Sequence, residues 1–417
     1  MTQEIQLTRP VSTVPAPPSY GVRGKIAKRV LSRILRKVPV TALLASGEQY
    51  GDGRTPIIEV TDPDAFFARL AHSPMIGLGE SYMAQEWRVA PGTDLADALA
   101  PFAARLTDLI KPSFYRLRHV VLPRSMSSEE NTKQGARKNI SRHYDLSNDM
   151  FEQFLDPSLS YSSALFDTLD PAPTADQFEE AQLRKVDAIL DAAAVRHGSR
   201  ILEIGTGWGT LAIRAAQRGA HVTTLTISKE QADLAQERVN AAGVSHLVDI
   251  ALRDYRDQTG EFDAIVSVEM IEAVGEKYWP TYFKAIDSLL APGGKVALQA
   301  ILLEHHRMVA TRNTYTWIHK YIFPGGLLPS TEAIESVLAE HTTMRTSQVT
   351  PLGQHYAHTL RLWREQFLAN WPTVEGLGFD ETFRRMWEFY LAYCEAGFRA
   401  GYLDVAQITI ERPRSTG

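Results

Sequence analysis

The chain has 417 residues, 44% hydrophobic and 22% charged, a composition typical of a globular protein with two or three domains. Its 44 Lys and Arg and 49 Asp and Glu give a net charge of −5, so no global field attracts nucleic acid and any attraction to a membrane must be local. The single cysteine excludes an internal disulfide and a cysteine-cluster metal site, and it suits a reducing cytosol. Because no apolar run reaches the length of a membrane span, we expect contact with a membrane only at its surface.

The N-terminal part divides into a tail and a small domain. Residues 1–20 carry four prolines and few large apolar groups, which predicts a disordered tail. Residues 23–38 contain seven basic residues and no acid, with apolar residues at helical spacing. Such a helix either lies on an anionic lipid surface or packs on its own domain with a solvated basic rim. We interpret residues 21–125 as a mainly helical, lipid-associated domain with a strand at 56–60.

The remaining residues, 126–417, predict an α/β catalytic domain. Amphipathic helical stretches alternate with apolar strand candidates, and the fourth strand is apolar without alternation, as in a central parallel strand. Since ligands bind at the carboxyl ends of strands in an open α/β sheet, we expect the segments after the strands to surround one crevice. The predicted strands cover residues 201–204, 221–227, 248–252, 262–268, 295–302, 344–349 and 407–411.

The first of these strands runs into a loop with glycine at every second position, Gly205, Gly207 and Gly209. Glycine allows backbone angles that side chains forbid and lets a flat adenosine approach the main chain. A dinucleotide site would need a more distant third glycine and an acid at the end of the second strand, where Thr226-Ile227 stand. The acid here is Glu203, inside the first strand. This spacing is typical of the S-adenosylmethionine (SAM) loop of class I methyltransferases; another nucleotide and a packing loop without a ligand are the alternatives.

Two segments before the glycine loop are dense in hydrogen-bonding side chains between apolar anchors. They are residues 143–149 and 159–163. This pattern favours a segment folded over a ligand. The alternative for the first segment is a helix start capped by Asp145 or Ser147.

An insertion around residues 303–343 carries many aromatic and aliphatic side chains. That load is heavy for a surface loop, so we interpret the insertion as a lid or wall of an apolar acyl pocket. It begins with Glu304, His305 and His306. Because adjacent residues on a strand point to opposite faces, we predict no metal site there.

Taken together, the motifs resemble the cyclopropane-fatty-acyl-phospholipid synthase family and the related mycolic-acid methyltransferases. The resemblance extends over nearly everything from about residue 60 onward. It implies a class I SAM-dependent methyltransferase fold, with a Rossmann-like seven-stranded sheet and a smaller N-terminal domain, and an unsaturated acyl chain as substrate. The motifs are Gly77-Leu-Gly-Glu-Ser-Tyr82, His143-Tyr-Asp-Leu-Ser-Asn-Asp149, Tyr161-Ser162, Leu202-Glu-Ile-Gly-Thr-Gly-Trp-Gly209, Thr226-Ile-Ser-Lys-Glu-Gln231, Met270-Ile-Glu-Ala-Val-Gly275, His355-Tyr356 and Tyr393-Cys-Glu-Ala-Gly-Phe398.

The resemblance also implies bicarbonate beside the active-site acid. Two positions depart from the family, since Ser163 replaces a cysteine and Gln299 replaces a histidine, and both border the bicarbonate site. These departures argue against bicarbonate use. The residues predicted to bind SAM, from the motifs and the crevice, are Tyr161, Ser162, Glu203, Gly205, Thr206, Gly207, Trp208, Gly209, Thr226, Ile227, Ser228, Gln231, Tyr255 and Arg256. The predicted catalytic group is Glu272, Tyr356, Gln299, Ile301, Ser163, His143 and Cys394.

One branch of this superfamily, the methyltransferase of the actinobacterial tuberculostearic-acid pathway, is more similar to this pattern. It makes a 10-methylene acyl chain from oleoyl phospholipid, and a separate reductase then saturates the product. We therefore predict C-methylation of unsaturated phospholipid at the cytoplasmic face of the plasma membrane, with cyclopropane synthesis as the nearest alternative. A small-molecule O- or N-methyltransferase and a non-catalytic SAM-binding lipid module are more distant alternatives. No nucleic-acid partner is expected, and a homodimer is left open.

The expected chemistry needs a base in a dry pocket. Methyl transfer to an isolated double bond leaves a carbocation, which a water-free cleft protects until a base removes a proton. Glu272, just beyond the fourth strand, is the predicted base, and Glu269 is its rival. Tyr356 would orient the base or face the cation. We expect Cys394, which the family implies as an active-site residue, to be buried packing on a helix.

Overall fold

The computed structural model describes residues 13–109 and 147–413, so the predicted site residue His143 lies outside the described residues. The strands are β1 (Thr41–Leu44), β2 (Gln49–Tyr50), β3 (Ile57–Val60), β4 (Trp87–Val89), β5 (Arg200–Ile204), β6 (His221–Thr226), β7 (Val248–Leu252), β8 (Phe262–Val268), β9 (Leu290–Leu303), β10 (Arg345–Pro351) and β11 (Leu403–Glu411). The α-helices are α1 (Gly21–Leu35), α2 (Pro63–His72), α3 (Pro74–Met83), α4 (Leu95–Leu109), α5 (Asn148–Glu152), α6 (Phe178–Ala192), α7 (Thr210–Gln217), α8 (Lys229–Ala241), α9 (Trp279–Leu289), α10 (His305–Thr311), α11 (Trp317–Tyr321), α12 (Thr331–His341), α13 (Gly353–Ala369), α14 (Trp371–Gly376) and α15 (Glu381–Arg399).

The chain forms two compact units, and both are discontinuous in sequence. The first comprises Met1–Ser127, Asn313–Pro324 and Trp363–Tyr402. The second comprises Ser128–Arg312, Gly325–Leu362 and Leu403–Gly417. Two later segments that the sequence analysis assigned to the catalytic domain thus belong to the same unit as the N-terminal residues.

The first unit contains a four-stranded sheet in the order β2-β1-β3-β4, of which only β3 was predicted. Asp62 caps α2 by accepting the N–H of Ala65 at 3.1 Å. Trp317, in the insertion that we interpreted as a lid or wall, is buried in this unit. Its ring centroid lies 5.0 Å from that of Phe389 on α15. The aromatic load of Asn313–Pro324 therefore serves at least in part to anchor that segment in the first unit.

The predicted basic helix is present as α1. Upstream of it, in the segment predicted as a disordered tail, the carbonyl of Pro15 accepts a hydrogen bond from Arg69 Nη2 at 2.8 Å. Arg69 is buried and also pairs with Glu86 at 2.8 Å and Glu80 at 3.3 Å. In residues 13–109 and 147–413, no helix is long and apolar enough to cross a membrane.

The second unit contains the predicted seven-stranded sheet, in the order β10-β11-β9-β8-β5-β6-β7. Strands β5 to β9 pair in parallel, and β11 is antiparallel to both of its neighbours. Chain order reverses at β5, which lies between β6 and β8. The loops that follow these strands diverge to opposite faces and leave a crevice at the carboxyl edge of the sheet.

Both faces of this sheet are covered by helices, which explains the nearly continuous apolar strands. Successive residues of β5 belong to different clusters because side chains alternate between faces. Ile201 packs with buried residues of α6 and α7. Leu202 packs with buried residues of α9, including Trp279 and Phe283.

Two strands extend by several residues beyond their predicted bounds. Strand β9 begins at Leu290 rather than 295 and so includes residues 292–294. Leu290 pairs with Phe262, and a register irregularity separates this pair from Ala264 and Lys295. Strand β11 begins at residue 403 rather than 407, because all nine of its residues pair with β9.

The geometric reason given for rejecting a metal site was wrong. His305 and His306 do not lie on a strand but begin α10, with Glu304 at the N-cap position. Among the described residues, no group of three or more His, Cys, Asp or Glu side chains could hold a metal ion.

Candidate active site

A cleft lies at the carboxyl ends of β5, β6 and β8, and its empty volume is about 1270 Å³ with the open mouth included. Two residues predicted to bind SAM do not line it: Gly209 precedes α7 and Ser228 caps α8. The predicted SAM-binding residues that line the cleft are Tyr161, Ser162, Glu203, Gly205, Thr206, Gly207, Trp208, Thr226, Ile227, Gln231, Tyr255 and Arg256.

The glycine loop needs glycine for two different reasons. Gly205 has φ +100°, and a Cβ there would lie 2.6 Å from Met270 Cγ. Gly207 has φ +52°, and a Cβ there would meet no atom within 4 Å. Gly205 therefore allows close packing beneath the cleft, and Gly207 leaves its main chain accessible from the cleft.

Glu203 supplies a buried carboxylate to the cleft wall. Its Oε2 accepts the hydroxyl of Thr224 at 2.6 Å, and Thr224 Oγ1 lies 2.8 Å from Thr206 Oγ1. Burial raises the pKa of Glu203 to about 8, although the Thr224 hydrogen bond and the charge of Lys185 act in the opposite direction. A carboxylate at this position can pair with the α-ammonium group of SAM.

The described part of the motif at residues 143–149 lies beside the glycine loop. Asn148 Oδ1 accepts the indole N–H of Trp208 at 2.9 Å. The ring of Phe151 lies 5.1 Å from that of Trp208 and 5.2 Å from that of Tyr161. Ser147 occupies the N-cap position of α5 but makes no side-chain capping bond.

The loop after β7 provides an aromatic and a cationic side chain. Asp254 fixes Arg256 through contacts of 2.8 Å to Nε and 2.6 Å to Nη2. The ring of Tyr255 packs edge-on against Tyr282 at 5.2 Å, and burial raises the pKa of its hydroxyl to about 12. Tyr255 therefore presents a neutral aromatic wall, which suits an adenine base.

The start of α8 forms half of a capping box. Ser228 Oγ accepts the N–H of Gln231 at 3.2 Å. The Gln231 side chain does not return to Ser228; its Oε1 instead accepts the hydroxyl of Thr226 at 3.0 Å. Thr226 Oγ1 also accepts the N–H of Ser228 at 3.1 Å. This arrangement holds Thr226 and Gln231 in the cleft wall.

A second cluster surrounds Glu269, directly after β8. Its Oε1 accepts the N–H of Ser163 and the side-chain amide of Gln299, both at 2.9 Å, and its Oε2 accepts the hydroxyl of Tyr356 at 2.8 Å. Its φ is +50°, which is strained for a residue with a side chain and persists only where the surroundings impose it. Burial raises the pKa of Glu269, and these three donors lower it. Both oxygens of this carboxylate are thus engaged.

Glu272 is the second carboxylate, in the 3-10 helix Ile271–Ala273. Its Oε1 accepts the N–H of Ile301 at 2.6 Å. Its Oε2 is buried and has no hydrogen-bond partner in the described part of the chain. Burial, and then the charge of Glu269, raise the pKa of Glu272 to about 8.

Of the predicted catalytic residues, five meet in this cluster: Glu272, Tyr356, Gln299, Ile301 and Ser163. The Tyr356 hydroxyl bonds to Glu269, so it orients the rival carboxylate rather than the predicted base. Cys394 lies on α15 in the first unit, where burial raises the pKa of its thiol to about 12 and keeps it protonated.

Sequence reasoning missed three polar residues that build the site. Lys185 and Gln182 project from α6 and bond to the segment at residues 160–162. Gln407 Nε2 bonds to the carbonyl of Lys185 at 3.1 Å and to Gln299 Oε1 at 3.2 Å. A signal for the first two was available, because both occur on the apolar face of a predicted amphipathic helix.

The comparisons agree with this geometry. The family model for mycolic acid cyclopropane synthetase matches residues 131–408. Tuberculostearic acid methyltransferase UfaA1 from Mycobacterium tuberculosis is 49% identical over 406 residues, which cover 96% of this chain and 94% of that protein. Cyclopropane-fatty-acyl-phospholipid synthase from Escherichia coli K12 is 36% identical and covers 86% of this chain and 89% of its own.

Solved structures confirm the fold. Mycolic acid cyclopropane synthase CmaA1, complexed with SAH and CTAB, is 32% identical with a TM-score of 0.60 and covers 66% of this chain and 97% of its own. Coclaurine N-methyltransferase, at 17% identity, has a TM-score of 0.62 over 80% of this chain and 98% of its own, a likeness of fold alone.

Proposed function

We propose a substrate and a product for this chain, which belongs to the mycolic acid cyclopropane synthetase family and is a SAM-dependent methyltransferase. The substrate is the double bond of an oleoyl-type acyl chain in a phospholipid, and the product carries a 10-methylene branch. The 49% identical tuberculostearic acid methyltransferase supports this choice. The extent of the alignments supports it as well. That relative and the phospholipid synthase align with 96% and 86% of this chain, whereas a cyclopropane mycolic acid synthase aligns with 66%.

The proposed reaction transfers one methyl group to the acyl chain and releases one proton to a base. Bound SAM supplies an electrophilic methyl group on a sulfonium. The π electrons of the alkene form the new C–C bond as the bond from the methyl group to sulfur breaks, S-adenosylhomocysteine is released, and the neighbouring carbon becomes a carbocation. A hydride shift places the cation beside the new methyl group, and loss of a methyl proton to a base then forms the exocyclic double bond. If the ring closes as the proton leaves, the product is a cyclopropane, so the two outcomes depend on where the base lies relative to the cation.

We assign the base to Glu272, and the observation that carries this assignment is its buried Oε2 without a described partner. A proton acceptor needs a free lone pair, and the Ile301 N–H that holds Oε1 fixes the direction of the other oxygen. Glu269 is a poorer candidate because Ser163, Gln299 and Tyr356 already donate to it.

Bicarbonate does not fit this arrangement, so we propose that Glu272 accepts the proton itself. The N–H of Ile301 is used by Glu272, and those of Ser163 and the Gln299 side chain are used by Glu269. An anion would have to displace these acceptors and lie beside the ionised Glu269, which repels it. Activity in carbonate-free buffer should therefore equal activity with added bicarbonate.

Mass spectrometry of the lipids tests the reaction. Purified protein, SAM and vesicles of dioleoyl phosphatidylglycerol should give an acyl chain heavier by one CH2 unit that takes up H2 on catalytic reduction. A product that resists reduction would identify cyclopropane synthesis. SAM binding without any lipid product would contradict the proposed activity and favour a non-catalytic lipid module. A methylated alcohol or amine as the only product would favour an O- or N-methyltransferase.

The substrate lies in a bilayer, and we propose that α1 contacts its surface. Val22, Ile26 and Val30 are 73%, 58% and 48% exposed and follow each other at helical spacing. The helix contains no acidic residue, and Arg23, Lys25, Arg29 and Arg33 are exposed around the three apolar side chains. An exposed apolar stripe with a basic border complements an anionic lipid surface.

Vesicle sedimentation without SAM tests this contact separately from catalysis. Replacing Val22, Ile26 and Val30 together by serine should weaken binding to anionic vesicles at least about tenfold, since each side chain loses apolar burial. Leu377→Ser, at a residue 42% exposed elsewhere in the same unit, is the matched control and should bind like the wild type. Equal binding of the triple variant and the wild type would contradict the docking role.

A further inference from the structure

Lys185 is a buried cation in the cleft wall that the proposed chemistry does not use. It lies on α6 and is only 2% exposed. Its Nζ donates to Ser162 Oγ at 2.6 Å. One turn earlier, Gln182 Nε2 donates to the carbonyl of Ser162 at 3.0 Å. Helix α6 thus presents two polar side chains to one segment of the cleft.

The charge of Lys185 lacks an anion of its own. An ammonium has three N–H donors, yet among the described residues Ser162 Oγ is its only hydrogen-bond acceptor, and no carboxylate lies within ion-pair distance. A buried, unpaired ammonium is costly. Burial lowers the pKa of Lys185 to about 8, although the more distant charges of Glu269, Asp156 and Glu203 raise it. The group therefore remains largely charged at neutral pH and faces a cleft.

SAM offers one anionic group, the α-carboxylate of its methionine part, together with two cationic groups, the α-ammonium and the sulfonium. Glu203 and Lys185 both line the cleft, and they offer a carboxyl group and an ammonium group to this pair of α-substituents. We propose that Lys185 binds the α-carboxylate of SAM beside Ser162, and thereby distinguishes SAM from adenosine compounds that lack the amino-acid part. The alternative is a structural cation that only offsets the surrounding carboxylates.

Binding of two ligands to the full chain separates these roles without lipid or turnover. The ligands are S-adenosylhomocysteine and its decarboxylated analogue 5′-S-(3-aminopropyl)-5′-thioadenosine, which keeps the amine. In calorimetry, the wild type should bind S-adenosylhomocysteine about thirtyfold or more tightly than the decarboxylated analogue, and Lys185→Met should reduce this ratio of Kd values to less than about threefold. The exposed Lys284→Met is the matched control and should retain the wild-type ratio. An equal loss of affinity for both ligands, or an unchanged ratio, would overturn the proposal.

The wild type provides a second test if Lys185→Met does not fold. The ligand carboxylate stays ionised over this range, so the affinity ratio follows the charges beside it; comparison with Glu203→Gln separates Lys185 from Glu203, whose pKa is also about 8. The affinity ratio should therefore fall about tenfold from about pH 7 to about pH 9, as Lys185 loses its proton. A ratio that stays constant over this range would exclude Lys185 as the partner of the carboxylate.

Discussion

Raising the pH should accelerate methylation, because the proposed proton acceptor must be ionised. Burial and the nearby Glu269 raise the pKa of Glu272 to about 8. An acid with this pKa is about 1% ionised at about pH 6, about 9% at about pH 7 and about 91% at about pH 9. If proton removal limits turnover, kcat should rise about tenfold between about pH 7 and about pH 9.

The assay measures initial rates with saturating SAM and vesicles of unsaturated phosphatidylglycerol, whose phosphate does not titrate in this range. Saturation matters because Glu203 and Lys185, which line the SAM cleft, also have pKa values of about 8. Glu272→Gln should lower kcat by about 10²–10⁴ and abolish the pH dependence. The exposed Glu261→Gln should keep both the rate and the profile.

Two results would refute this reasoning. A kcat that stays flat from about pH 6 to about pH 9 would mean that no group with the raised pKa of Glu272 controls the reaction. A rise that persists in Glu272→Gln would assign the titration to another residue, with Glu269 as the first candidate. Retained SAH binding in Glu272→Gln confirms that any loss of rate is not a loss of fold.

Three further predictions concern stability and cofactor binding. Gly205→Ala should weaken SAH binding by about tenfold or more, because residue 205 has φ +100° and the new Cβ would lie 2.6 Å from Met270 Cγ. The control is Gly243→Ala, at φ +72° with no atom within 4 Å of the new Cβ, which should leave the Kd for SAH unchanged. Arg364→Met leaves the buried Glu395 with the partly exposed Arg399, at 3.2 Å, in place of its 2.8 Å partner and should lower the free energy of unfolding by about 3 kcal/mol; adding Glu395→Gln should recover part of this loss in urea titrations. Folding raises the pKa of the Glu272 carboxyl, so its contribution to stability falls as pH rises from about 4 to about 8; Glu272→Gln should therefore raise Tm relative to wild type at about pH 9 and have little effect at about pH 4.

The elements that the sequence predicted well are those set by local patterns. Strands β7 and β8 match their predicted bounds, because a short apolar run between turn signals is visible without any knowledge of its partners. The glycine loop was interpretable for the same reason. A main chain that turns sharply and remains accessible to a ligand requires glycines at fixed spacing, whatever packs around it.

The features that the sequence did not reveal depend on residues far apart in the chain. The full length of β9 depends on pairing with β8 and β11, and residues 292–294 resemble a turn in isolation. The position of Trp317 in the first unit depends on Phe389. Helical spacing places Lys185 on the apolar face of its helix, but its hydrogen bond to Ser162 is visible only in the structure. Local periodicity carries no information about such partners.

Glu269 and Glu272 illustrate how one fold gives two neighbouring carboxyl groups different tasks. Burial raises the pKa of both, so burial cannot distinguish them. The hydrogen-bond donors distinguish them. Glu269 accepts three hydrogen bonds on its two oxygens, which favour its ionised form, while the Oε2 of Glu272 accepts none from the described residues. The charge of Glu269 then raises the pKa of Glu272 further, so the pair tends to hold a single proton on Glu272. An amide at position 299 contributes to this division, because Gln299 donates to Glu269 without adding a titrating group of its own.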